Sequence, residues 1–128
     1  MNQVSIKIIF YLSLVLAVLH GLAMYFDLYF FIWWLDIPMH VLGGALVAYV
    51  ACFLYQRLCT SGVVIEQKMA IWCVIFASVL FVGVAWEYFE YSKDLTFNTI
   101  GSYRMDVIKD IIMDLLGGFV AGIFLLRK

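Results

Sequence analysis

Four stretches of the chain, residues 5–25, 37–55, 69–88 and 107–126, stay largely apolar for the length a helix needs to cross a bilayer. At a rise of ~1.5 Å per residue, about 20 residues span the ~30 Å hydrocarbon core. A water-soluble domain of 128 residues has too much surface for its volume to conceal a composition that is 66% hydrophobic and 13% charged. Lipid is therefore the solvent for most of these side chains. The expected fold is all-α, a single four-helix transmembrane domain over residues 1–128. The first stretch lacks a small-residue cleavage site and outruns the apolar region of a signal peptide, so it is read as a span.

Alternating spans assign each charge to a side. One side, with both termini and the loop 56–68, carries Lys7, Arg57, Lys68, Arg127 and Lys128 against Glu66. The other carries Lys93, Arg104 and Lys109 against Asp27, Asp36, Glu87, Glu90, Asp94, Asp106, Asp110 and Asp114. The Lys/Arg excess predicts that both termini are cytoplasmic, with the acidic residues gathered at the opposite ends of the helices. A net charge of −1 offers no basic footprint for nucleic acid. The aromatic run at residues 26–34 suits the membrane interface, and Trp72 and Trp86 are read as interfacial or lipid-facing. In the loop 92–105, Asn98, Thr99, Gly101 and Ser102 read as turn formers. Cys52, Cys59 and Cys73 have neither disulfide nor metal spacing and read as buried, inert thiols.

Two nine-residue segments match. Asp36-Ile-Pro-Met-His40-Val-Leu-Gly-Gly44 and Asp110-Ile-Ile-Met-Asp114-Leu-Leu-Gly-Gly118 are identical at six of nine positions. The polar and glycine positions repeat, which apolar resemblance alone would not produce. Upstream, Asp27-Leu28-Tyr29-Phe30 aligns with Asp94-Leu95-Thr96-Phe97, a register that sets His20 against Glu87. The match predicts two parallel-repeat helical hairpins, with the glycine pairs allowing helices two and four to approach closely.

The polar residues fall in pairs at helical spacing. Asp36 and His40, and likewise Asp110 and Asp114, lie four apart on one face, and Glu87 and Glu90 lie three apart. Asp36 and Asp106 stand at helix N-termini, where capping explains a carboxylate as well as chemistry does. Glu87 and Glu90 stand at a C-terminus, where the helix dipole disfavours them, and Asp110 and Asp114 lie inside a span. These four need a cation, a proton or a metal beside them. Oxygen donors with one imidazole suit Zn, Mn or Fe, and a carboxylate-only half would also admit Mg or Ca. Candidate ligands are Asp36, His40, Glu87, Glu90, Asp110 and Asp114, with His20 and Asp106 secondary. His20 and His40 could in principle ligate a haem, but the carboxylate-rich surround argues against one, and none is expected.

These residues also carry a resemblance. Asp36-x3-His40, Glu87-x2-Glu90 and Arg104-x5-Asp110-x3-Asp114-x2-Gly117 together resemble the VanZ-like family of small bacterial membrane proteins. Trp86-Glu87-x2-Glu90 and Asp110-x3-Asp114 are closer still to the YjdF-like inner-membrane proteins. VanZ-like proteins usually have Gln in place of Glu90 and Asn in place of Asp114, so this chain is the more acidic. The resemblance implies a multi-pass protein of the bacterial inner membrane and supplies no reaction.

The leading expectation is a metal- or cation-binding cluster near the extracytoplasmic face. Metal-assisted chemistry on a lipid-linked headgroup is the enzyme reading, with Arg104 suited to a substrate phosphate. The alternative is a proton-coupled or structural or sensor subunit whose carboxylates are protonated or ion-paired. A transport path is disfavoured because the inner halves of the spans offer little beyond Tyr49, Cys52, Cys73 and Ser78. A homodimer is a candidate assembly for so small a chain, without a diagnostic interface.

Overall fold

A computed structural model of the chain describes residues 4–93, 95 and 101–127. These form α1 (Ile6–Tyr25), a single-turn α2 (Leu28–Phe31), α3 (Asp36–Thr60), α4 (Lys68–Ser92) and α5 (Tyr103–Leu126). Ser5 starts α1 by accepting the Lys7 N–H on its hydroxyl. Asp27, at φ 52°, is in the left-handed conformation that Asp tolerates better than most residues, and it turns the chain from α1 into α2. The α3–α4 loop is pinned by Tyr55, whose hydroxyl donates to the Ile65 carbonyl at 3.0 Å and accepts the Gln67 N–H at 3.2 Å.

Three of these helices, α1, α3 and α4, are long and apolar enough to cross a membrane. This corrects the expectation of four transmembrane helices. Helix α5 is long enough at 24 residues, but even its most apolar end, residues 109–126, still holds Lys109, Asp110 and Asp114. The cytoplasmic placement of both termini rested on four alternating spans and falls with them.

Helix α3 packs most extensively against α5, and α4 lies against both, whereas α1 packs chiefly against α3. Two parallel hairpins would leave α1 and α4 in equivalent surroundings, and they are not. Helix α5 turns one face inward, with Asp110, Asp114, Gly117, Gly118, Ala121, Gly122 and Leu125 all buried. Below the acids, Ala48, Cys52, Ile71, Ile75, Val79 and Leu125 form the main core. Lipid tails are as apolar as these side chains, so close packing rather than water exclusion must hold helices together within a bilayer. Glycine makes that packing possible here. A Cβ on Gly44 would overlap the Asp114 backbone, and one on Gly117 would overlap the Val41 backbone.

Cys52 is buried, but Cys73 is exposed and Cys59 half-buried, so only the first fits the expectation for the thiols. Trp72 is likewise more than a lipid-facing ring: it covers Gly122 and stacks on Phe76 at a centroid distance of 5.6 Å. Asp94, Asn98, Thr99 and, apart from Leu95, the Asp94–Phe97 half of the upstream match lie outside the described residues.

Candidate functional site

The antiparallel run of α3, α4 and α5 brings the first turns of α3 and α5 beside the last turns of α4, and the polar pairs converge there. His40 is at the centre and 7% exposed. Its Nε2 faces three carboxylates from three helices: Asp36 Oδ1 at 3.4 Å, Asp110 Oδ1 at 3.9 Å and Glu87 Oε1 at 4.0 Å. Its Nδ1 faces Asp114 Oδ1 at 3.3 Å on the opposite side of the ring.

The Asp114 carboxylate is seated against glycine. Its Oδ2 lies where a Cβ on Gly83 would overlap it, and its Oδ1 lies beside Gly43. Gly83 and Gly43 thus make room for a charged side chain between α3 and α4, a second use of glycine beyond helix approach.

Lys109 is the cation of the cluster. Its ammonium donates to Asp106 at 2.8 Å and to Asp36 Oδ2 at 3.3 Å, and lies 3.2 Å from Asp110 Oδ1. That pairing is incomplete. Asp110 Oδ1 is buried without a hydrogen bond of acceptable geometry, and so is Glu87 Oε1. Both side chains are more than nine-tenths buried, Asp110 at 2% and Glu87 at 6% exposure. Buried carboxylate oxygens without hydrogen bonds are costly, so two facing one imidazole, with a single ammonium beside one of them, leave room for a further positive charge.

The donor set fits a metal. Asp36, His40 and Asp110 offer one ligand atom each within 4.8 Å of one another. Tetrahedral ligands at ~2.1 Å from zinc lie about 3.4 Å apart. Measured from His40 Nε2, Asp36 meets that separation and Asp110 and Glu87 exceed it by about half an ångström.

The remaining expected site residues stand elsewhere. Glu90 is not among the carboxylates within 4.0 Å of His40 and accepts the Trp86 indole N–H at 2.8 Å. Asp106 pairs with Lys109 and lies outside the imidazole's reach. His20 is joined through Nδ1 to the Tyr29 hydroxyl at 2.8 Å and packs edge-on to Trp86 at 5.8 Å between centroids. The register that equates His20 with Glu87 is therefore not kept in space, because Glu87 enters the cluster and His20 stays beside it. Arg104 is exposed on the first turn of α5.

Sequence reasoning undervalued Trp86, Lys109 and Tyr29. Trp86 could have been paired with Glu90 from its i, i+4 spacing, and Lys109 with Asp106 from i, i+3. Tyr29 had no such signal, because the turn at Asp27 brings it back onto α1. Burial, with the Asp36 and Glu90 carboxylates behind it, holds the Tyr29 phenol above its usual range, so it remains a neutral hydroxyl.

No curated protein and no solved structure matches the chain. The sequence pattern of one family extends over residues 2–128, nearly the whole length, and with the membrane-length helices above it agrees in kind: the chain belongs to the family described as predicted membrane protein (DUF2238).

Proposed function

We propose that this membrane protein holds a divalent cation at the meeting of α3, α4 and α5, with His40 Nε2, Asp36, Asp110 and Glu87 as ligands. The carrying observation is the pair of buried oxygens without a hydrogen bond, Glu87 Oε1 and Asp110 Oδ1, both facing the same imidazole nitrogen, with the Lys109 ammonium beside the second alone. Three carboxylates with one imidazole suit Zn, Mn or Fe, with Mg a weaker fit because it prefers oxygen alone. Asp114 then acts as a positioning residue. By accepting Nδ1–H it fixes the tautomer that presents Nε2 to the metal, the usual carboxylate–histidine–metal arrangement.

A metal there would polarise a phosphoryl or carbonyl oxygen, or lower the pKa of a bound water. The reaction class that suits a membrane setting is hydrolysis or transfer at a lipid-linked headgroup. This reading gives Arg104 and Glu90 no part in metal binding. The VanZ-like and YjdF-like resemblance supports a bacterial envelope setting for it.

Lys109 favours a second reading, in which the cluster is a self-neutralised lock between helices. Its three carboxylate neighbours are already in ion-pair range. Metal analysis of the purified protein separates the two readings. Stoichiometric Zn, Mn or Fe, lost in Glu87→Gln/Asp110→Asn, supports the centre. No metal after chelator-free purification, and no uptake of added Zn, Mn, Fe or Mg, leaves the lock.

A further inference from the structure

A recess of about 350 Å³ opens between α1 and α4, with α3 as its floor. Helix α1 is held against α3 toward both of its ends. At one end, Ala23, Tyr29 and Met39 form a small separate core. At the other, the Val4 N–H reaches Gln56 Oε1 at 2.9 Å. Between these supports, α1 presents Ser13, Leu16, Ala17 and His20, one face at i, i+3, i+4 and i+7. Helix α4 answers with Val79, Val82, Gly83 and Trp86, and glycines 43 and 44 of α3 leave the floor bare.

The recess has two chemically distinct ends. Leu16, Ala17, Leu46, Val47, Val79 and Val82 line its apolar body. His20, Tyr29, Glu90 and the His40 cluster line the other end, where the edge-on contact of His20 with Trp86 bridges α1 to α4. From Ser13 to His20 the α1 face runs about 10 Å. The volume is in the range of small-molecule sites, ~300–1,000 Å³. Both flanking helices are of membrane-crossing length and composition, so the recess would open sideways onto lipid.

We propose that this recess holds one aliphatic chain of a membrane amphiphile, with an uncharged, hydroxyl-bearing end at His20, Tyr29 and Glu90. The apolar walls select the chain. Asp36, Glu90 and Asp114 around the polar end repel an unshielded anion, whereas a hydroxyl finds an acceptor in Glu90 and a hydrogen-bonding pair in His20 and Tyr29. The chain site stands without a metal. Only the step that makes its occupant a substrate rests on the cation centre proposed above.

The test uses the full chain in phosphatidylcholine vesicles with a trace of a diazirine-tailed long-chain alcohol, or the fatty carboxylate of equal length. After illumination, labelled residues are mapped by peptide mass spectrometry, and metal content is measured on the same sample. The expected label falls at least five-fold more on Ala17, Val47 and Val82 than on the outward Phe10, Val18 and Phe81. The alcohol should label the recess more than the carboxylate does. Ala17→Phe, at an exposed position on α1, and Val47→Phe should each reduce recess labelling at least five-fold. Even labelling of inner and outer faces, or labelling unchanged by Ala17→Phe, overturns the chain site. Equal labelling by the carboxylate overturns the uncharged end. Recess labelling in protein that neither carries metal nor takes up added Zn, Mn, Fe or Mg refutes the cation centre and leaves the chain site standing.

Discussion

His40 and Asp114 occupy the same position of the nine-residue segment that the chain carries twice, and their side chains meet, Nδ1 lying 3.3 Å from Oδ1. The other polar position of the segment behaves alike, since Lys109 joins Asp36 to Asp110. The matched segments thus face each other across the α3–α5 contact. They differ at the one place where difference has chemical use: one supplies an imidazole and the other the carboxylate that orients it. Replacing Asp114 by Asn keeps the volume but removes the charge that favours Nδ1–H. Divalent-metal affinity should fall about 10- to 100-fold, as it does for such outer partners, while His40→Ala abolishes binding. Titration of the purified protein with Zn or Mn measures both, and equal affinity in Asp114→Asn and wild type would remove the positioning role.

The glycines that allow this meeting make a separate prediction. Alanine at Gly44 or Gly117 puts a methyl group into the backbone of the facing helix, which cannot swing aside as a side chain can. Each change should cost roughly 1–3 kcal/mol or more, the usual range for overpacking. Gly21→Ala on α1, with nothing within 4 Å of the new methyl, serves as the control. It should be neutral or slightly stabilising, since alanine is the better helix former. Thermal unfolding in detergent checks all three.

Much of this arrangement was legible in the sequence, and the reasons for the failures are specific. The i, i+4 spacing of Asp36 with His40 and of Asp110 with Asp114 fixes a shared face whatever the tertiary fold, so the convergence at His40 could be anticipated. Apolar length likewise identified α1, α3 and α4 as candidate spans. For α5 apolar length misled, because the stretch read as a span still carries Lys109, Asp110 and Asp114; that Asp110 and Asp114 are buried is a fact only packing supplies. Spacing also said that Glu87 and Glu90 are neighbours without saying that they point into different surroundings. Three residues turn a helix through about 300°, so Glu87 can face His40 while Glu90 accepts the Trp86 indole N–H.

Lys109 should compete with any metal. Its ammonium sits 3.2 Å from Asp110 Oδ1, one of the proposed ligand atoms. In Lys109→Met the metal-free protein should lose stability, by less than the ~3–5 kcal/mol of a fully buried broken pair because Lys109 is partly exposed. Added Mn or Zn should then raise the unfolding temperature more than it does in wild type, since the ion replaces the missing charge. If metal fails to rescue this variant, the ammonium is the intended cation and the cluster is a lock.

The sharpest division between the two readings lies at Glu87. Its Oε1 is buried without a partner and 4.0 Å from His40 Nε2, so in the metal-free protein its charge is poorly compensated. Glutamine is the same size and carries no charge. At a pH high enough to ionise Glu87 in the metal-free protein, removing this uncompensated buried charge should stabilise it by roughly 1–2 kcal/mol. Glu87→Gln should therefore raise the unfolding temperature of the metal-free protein and weaken metal binding at the same time. A structural lock predicts the opposite for stability, because Glu87 would then be one of its working contacts. Unfolding curves with and without Zn or Mn, on wild type and this single variant, give both signs in one experiment. A gain without metal and a loss with it is the signature of a ligand that the apo fold holds under electrostatic strain.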